Sequence, residues 1–297
     1  MISGLQKTRA ARIRVVEILA VCGILFSLAI LTHGCKSGGS EDPILRMSAD
    51  EAFEEGQSLM ERKKYQQAVE YLEHAFEVAP NSNVGRQALL LAADALYLDG
   101  GTANFIKAEA KYRDFQNRFP TSDRGDYVQL QIANCLIEQV LRPDRDQTAT
   151  RKALLAYNDL LRIYPTSEFA EQAQLGIDAL RERLGDHEYI IGRYNYKRRL
   201  YSAAESRLQG LLDEYPNYEE SDKVLFLLGR SQLKQGHYED AEGTFQRLQT
   251  EYPDSSYSRK IPHVPDVPPE ASEEQSAEDE EESTQSSEEG SGTENDS

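Results

Sequence analysis

The residues able to do chemistry are few and badly spaced for it. The five histidines are His33, His74, His187, His237 and His263, and none is spaced for zinc. His187-Glu188-Tyr189-Ile190-Ile191 begins like a metalloprotease helix, but isoleucine stands where the second histidine would be needed. Gly38-Gly39 and Gly100-Gly101 read as linker and turn rather than as a loop that cradles phosphate. A Gly-x-Ser-x-Gly nucleophile elbow is missing. The expectation is therefore no catalytic residue, no metal ligand and no cofactor. Cys135 lies in an apolar helical stretch, Ile132-Ala133-Asn134-Cys135-Leu136, and reads as a small core residue. With Cys22 inside an apolar leader and Cys35 just after it, no disulfide framework is available.

Two stretches have the composition of binding surfaces instead. The first, Arg142-Pro143-Asp144-Arg145-Asp146-Gln147, reads as a polar insertion between two helices, with Asp144 or Asp146 near a helix start. The second, Arg193-Tyr194-Asn195-Tyr196-Lys197-Arg198-Arg199-Leu200-Tyr201, interleaves four cations with three tyrosines. Tyr and Arg are the types that concentrate binding energy at protein interfaces. Some of these tyrosines must face a core, so the stretch is part interface and part packing. Cations with aromatics also suit RNA, but the leader described below directs the chain away from it.

These residues need positioning, and the chain between them is a repeat. An alanine followed twelve residues later by a proline recurs five times: Ala68/Pro80, Ala108/Pro120, Ala153/Pro165, Ala204/Pro216 and Ala241/Pro253. Three residues before the alanines stand Tyr65, Phe105, Thr150, Tyr201 and Tyr238, and four after stand Leu72, Tyr112, Tyr157, Leu208 and Phe245. Phe119, Tyr164, Tyr215 and Tyr252 precede four of the prolines. Offsets of −3, 0, +4 and +11 share one helical face. The alanine admits a neighbouring helix and the proline ends its own. Asn81-Ser82, Thr121-Ser122, Thr166-Ser167 and Asp254-Ser255 then offer turn and N-cap groups.

Each of these helices should have a partner before it, touching at Gly56, Gly192 and Gly229, which lie twelve residues before their alanines. Ala93 and Ala133 fill that place if Gly100-Gly101 and Arg142–Gln147 are insertions. The pattern resembles the tetratricopeptide repeat, except that the prolines lie 40, 45, 51 and 37 residues apart where the usual unit is about 34. Phe115, Leu160, Leu211 and Leu248 are also bulky where that repeat has a small residue. The expected fold is all-α: an α-solenoid of five helix pairs over about Ser48–Ser258. Glu168–Arg198 should form one extended helix, or two broken near Gly185. Stacked pairs bury a stripe that no pair buries alone and leave an extended face for polypeptides.

The two ends differ from this body. Met1–Arg14 carries Lys7, Arg9, Arg12 and Arg14, and Ile18–Leu31 is a run of fourteen apolar or small residues. That is the plan of a secretory signal and is short for a membrane span. The run ends in Leu31-Thr32-His33-Gly34-Cys35, which resembles a bacterial lipoprotein signal and implies lipidation at Cys35. Lys36, rather than Asp, after that cysteine points in such lipoproteins to the outer membrane. At the other end, 261–297 holds thirteen carboxylates and no Lys or Arg. The net charge of −18 falls to −5 without that tail, which argues against nucleic-acid affinity. The tail has no apolar period and should be disordered. The expected layout is signal 1–34, tether 35–47, N-terminal repeats 48–165, C-terminal repeats 166–260 and acidic tail 261–297.

From about Ala49 to Lys260 the chain resembles the BamD family of outer-membrane assembly lipoproteins, most sharply over Asp144–Pro216. The resemblance is carried by Asp144-Arg145-Asp146-Gln147 with Arg151 and Ala153; Tyr164-Pro165-Thr166-Ser167; and Leu184 with His187-Glu188. It continues through Tyr194, Arg198, Tyr201, Ala203-Ala204, Arg207-Leu208 and Tyr215-Pro216. It implies a lipid-anchored scaffold on the periplasmic face of the outer membrane, not an enzyme. Its partners would be the barrel-forming subunit BamA, unfolded β-barrel clients and accessory lipoproteins, with no nucleic acid. Clients would meet residues 48–165 and BamA residues 166–260. Arg207 matches an arginine typical of the family and is the leading docking residue. Asp144, Arg145, Asp146, Arg193, Tyr194, Tyr196, Lys197 and Arg198 complete the expected partner-binding set. The alternative is another periplasmic tetratricopeptide adaptor, coordinating envelope constriction or peptidoglycan synthesis.

Overall fold

A computed structural model describes residues 43–265. The leader, the lipidation cysteine Cys35, most of the tether and the tail from residue 266 lie outside the described residues. Within them stand ten α-helices and no strand. The helices are α1 (Ala49–Glu61), α2 (Tyr65–Val78), α3 (Asn83–Asp99), α4 (Thr102–Arg118), α5 (Gly125–Ile137), α6 (Thr148–Ile163), α7 (Ala170–Lys197), α8 (Tyr201–Glu214), α9 (Ser221–Gln235) and α10 (Tyr238–Glu251). Short 3-10 turns at Pro43–Arg46 and Ser258–Lys260 bracket them. Each helix packs on its neighbours in sequence, and α1 also meets α3 as α7 meets α9. This is the expected solenoid of five pairs.

The repeated proline works through the residue before it. Ala79, Phe119, Tyr164, Tyr215 and Tyr252 are all C-caps, with φ between −126° and −139° and ψ between 58° and 66°. Proline crowds the preceding backbone out of the helical region, so each second helix stops at the same point. Each cap carbonyl then accepts from the N–H three residues on, at Ser82, Ser122, Ser167, Tyr218 and Ser255. One turn is thus made five times. The serines divide the work differently from expectation. Only Ser82 caps the next helix, accepting from Gly85 N at 2.9 Å. Ser122, Ser167 and Ser255 accept from the N–H two residues on, so they close the turn a few residues before the helix begins. Ser48 opens α1 with a full capping box, reciprocated by Glu51.

Three pairs are joined by a second recurring turn. Lys63, Arg199 and Gly236 have φ of 58°, 64° and 89°. The N–H after each reaches back five residues, from Lys64 to Leu59, from Leu200 to Asn195 and from His237 to Gln232. This is the Schellman ending, with a long side chain at two of its three left-handed positions. The second pair turns at Gly100-Gly101 alone, so α3 is simply longer there. Only the third pair carries a real insertion, 138–147, between α5 and α6.

Inside the pairs, the expected glycine contacts are present. A Cβ added at Gly56, Gly192 or Gly229 would lie 2.7, 2.6 and 2.7 Å from Leu72, Leu208 and Phe245 respectively. These partners are the residues four after the repeat alanines. In the second and third pairs that position is tyrosine, and Ala93 and Ala133 are fully buried beside it. Tyr112 donates to Asp94 at 2.5 Å and Tyr157 to Asn134 at 3.1 Å. Phe115, Leu160, Leu211 and Leu248 are buried. Cys135 is buried as expected, and burial pushes its thiol up to about 12.

The long stretch after Pro165 forms one unbroken helix, α7, of 28 residues. Gly185 does not interrupt it. That glycine is a contact point: an added Cβ would fall 2.5 Å from the ring of Tyr218. Because α7 passes from the central core, which includes Leu180, to the C-terminal core, which begins at Leu184, it joins two packed bodies.

Candidate functional site

The inward stripe of α7 carries Leu184, Glu188 and Gly192, all buried. A carboxylate in such a stripe must be paired. Arg207 of α8 supplies the pair, donating from Nη1 to Glu188 Oε2 at 2.7 Å, and Arg151 of α6 stands 3.9 Å from the other oxygen. The Arg207 and Arg151 side chains stay 47% and 53% exposed, against 10% for Glu188. One buried carboxylate thus fixes the Arg207 guanidinium at the surface, with the Arg151 guanidinium at the edge of ion-pair range. Arg207 also lines a shallow cavity of about 350 Å³ with Asn195, Ala203, Ser206 and Glu214. Planar guanidiniums fixed in this way suit a carboxylate, which they can grip in a forked geometry.

The insertion 138–147 is fastened beside them. Gln147 is buried, and its amide donates to the carbonyls of Arg142 and Arg145, both at 2.9 Å. Arg183 of α7 donates to Leu141 O at 2.8 Å. His187 Nδ1 lies 2.6 Å from Pro143 O, which places the ring proton on that nitrogen. His187 is thereby a staple for the loop. Within it, Asp144 pairs with Arg142 at 3.1 Å and Arg145 at 3.9 Å, and Asp146 accepts from Thr148 at 2.9 Å, at the start of α6. Asp144, Arg145 and Asp146 are exposed.

The last turns of α7 present the third group. Tyr194 is 60% exposed, and Arg193, Lys197 and Arg198 project to solvent. Tyr196 is half-buried: its ring meets Tyr201 edge-on at 5.5 Å, and the Arg230 guanidinium lies 5.2 Å from its centroid. The sequence-expected residues therefore fall into three neighbouring sets along α7 rather than one pocket. Sequence reasoning noticed Glu188 and Arg151 only as motif residues and missed their part in holding Arg207. The available signal was a glutamate four residues before Gly192, on the face that the glycine marks as inward.

Two further features were not anticipated. Asp178, Glu182, Asp213, Glu214 and Glu219 line a cavity of about 750 Å³ between α7 and the α8–α9 turn. Burial raises the Glu182 carboxyl above its usual range, although it accepts from Glu219 N at 3.1 Å. Among the described residues, Glu205, His237 and Asp240 bring potential ligand atoms within 4.8 Å of one another. Glu205 is already occupied by the Gln235 amide.

The chain has known relatives. A family described as outer membrane lipoprotein matches residues 46–231, and a tetratricopeptide-repeat family matches 223–255. The chain is similar to the outer membrane protein assembly factor BamD of Caulobacter vibrioides, with 27% identity over 201 residues, covering 67% of this chain and 65% of that protein. That match spans just under two thirds of the relative's length. The Haemophilus influenzae protein of the same name is 25% identical, covering 65% of this chain and 76% of its own. The Neisseria meningitidis serogroup A protein of that name is 28% identical, covering 67% and 80%.

Proposed function

Because the chain belongs to the outer membrane lipoprotein family matched across residues 46–231, we propose that it is a scaffold in outer-membrane protein assembly. Its relatives are named as assembly factors for outer membrane proteins. In this reading it is not an enzyme. It is lipid-anchored through Cys35 on the periplasmic face of the outer membrane and docks a barrel-forming subunit through residues 166–260. The observation that carries the docking reading is the Arg151–Glu188–Arg207 set. A carboxylate of the partner would join the two exposed guanidiniums without first having to order them. Asp144, Arg145 and Asp146, and the group Arg193, Tyr194, Lys197 and Arg198, flank it as further contacts. Tyr196 acts there from behind, as packing for Arg230 and Tyr201.

Clients would meet residues 48–165. Supporting this, a cavity of about 550 Å³ lies among α4, α5 and α6, lined by Leu155 and Ile163 together with Arg113, Gln116 and Lys152. Leu155 is 62% exposed. Mixed apolar and hydrogen-bonding walls suit an extended chain with alternating side chains.

The test is copurification of the barrel-forming subunit from detergent extracts. Charge reversal at Arg207 would set a second carboxylate against Glu188 and disturb the fold. Arg207→Ala combined with Glu188→Gln avoids this. The double variant is expected to keep its helical signal and lose about tenfold or more of the partner, the scale of a truncated charged contact. Wild-type recovery of the partner with that variant would overturn the docking assignment.

A further inference from the structure

The end of α7 presents cations that nothing in the described structure neutralises. Arg193, Lys197, Arg198 and Arg199 lie there, and Arg230 of α9 joins them through the ring of Tyr196. No carboxylate of the described residues pairs with any of these five or with Lys260. By contrast, Arg113, Arg118, Arg162 and Arg247 each pair with a carboxylate three or four residues away on their own helix.

The chain itself leads back to this patch. Lys260 lies 5.5 Å from the ring of Tyr257, Tyr257 stacks on Phe226 at 5.2 Å, and Phe226 lies under Arg230 at 5.6 Å. Ile261 and Val264 pack on the same C-terminal core as Tyr196, Phe226 and Tyr257. The last described residue, Pro265, is therefore anchored beside the cations. The next 32 residues carry thirteen carboxylates and no cation. Five of these are consecutive, Glu278-Asp279-Glu280-Glu281-Glu282. The thirteen residues from Pro265 to Glu278 can span at most about 45 Å. Arg193 and Lys197 are separated by only about 6 Å of helix rise and Arg198 and Arg199 follow directly, so the tether is long enough for the acidic run to lie along these cations.

We propose that the acidic segment 266–297 docks in cis on the cation–aromatic patch formed by Arg193, Lys197, Arg198, Arg199, Arg230 and Lys260. The tether supplies an effective concentration on the order of millimolar, so weak, screened contacts suffice. An external polyanion must displace the segment before it reaches the patch. This self-docking does not depend on the identity of the barrel-assembly partner.

Carbodiimide crosslinking of the dilute full chain tests it. Carbodiimide joins a lysine amine to a carboxylate directly, so only touching pairs are linked. Crosslinks from Lys197 and Lys260 to the 278–282 run are expected in monomeric protein, with none from exposed Lys107 on α4, and their loss in about 1 M salt, where charges are screened within about 3 Å. In parallel, a labelled peptide of residues 266–297 should bind a chain ending at Pro265 at least tenfold more tightly than the full chain. Equal peptide binding to both chains would show the patch open to any polyanion and sink the proposal, as would crosslinks spread evenly over Lys107.

Discussion

Glu188 sets the chemistry of the proposed docking face from an inward position. A buried carboxylate left alone costs more than its pairing returns, so its presence in the α7 stripe requires cations nearby, and those cations become ordered features of the surface. Asp94 faces the opposite problem. It accepts from Tyr112 at 2.5 Å and Tyr127 at 2.9 Å, yet burial outweighs both bonds and raises its carboxyl above 3.8. A raised acid favours the folded state when protonated. That contribution is full below the unfolded value near 4 and is lost as pH rises through the folded value. Asp94→Asn keeps an acceptor for the phenols and removes the charge. In thermal melts it should therefore be the more stable form at pH 7.5, and the two melting temperatures should converge as pH falls toward 4. A gap that stays constant with pH would assign the effect to packing.

At the level of elements, the fold repeats two small solutions. A proline forces its predecessor out of the helix, and a left-handed residue turns one helix onto the next. Between these turns, each pair closes where a glycine or alanine meets the side chain four residues past the repeat alanine. Gly229→Val would drive a branched side chain into Phe245, which lies 2.7 Å from the added Cβ, and should cost about 1–3 kcal/mol. Gly210, in α8, meets nothing within 4 Å. There Gly→Ala should instead stabilise by roughly 0.5–1 kcal/mol through helix propensity. Urea unfolding of both variants checks the contrast, and similar losses at the two positions would contradict the packing account.

Across the whole molecule, α7 is the member that matters. It joins the central and C-terminal cores, receives the 138–147 loop and displays the cations at its end. No helix among the described residues is long and apolar enough to cross a membrane. If Cys35 carries the lipid, Cys35→Ser should move the protein from the membrane pellet to the soluble fraction. Its helical signal should be unchanged, because the packed repeats begin at Ser48. Continued pelleting of that variant would argue against lipidation as the anchor.

Much of this fold was legible because its signals are local. The alanine–proline spacing, the residues before the prolines and the glycines at Gly56, Gly192 and Gly229 each act within one helix pair, so a period in the chain maps directly onto a period in space. The proposed binding residues were legible as types, Arg193 and Tyr194 being of the kinds found at interfaces, and Arg207 through the family resemblance as well; how they are held was not. The sequence left open whether Gly185 breaks a helix, because a glycine that ends a helix and one that admits the Tyr218 ring look alike along the chain. The union of Arg151, Glu188 and Arg207 came from three different helices, and the approach of Lys260 to Arg230 came through two aromatic rings. Such contacts depend on how the pairs stack against one another. That stacking is set by the summed shape of many side chains, which the sequence encodes only jointly and the tertiary structure alone resolves.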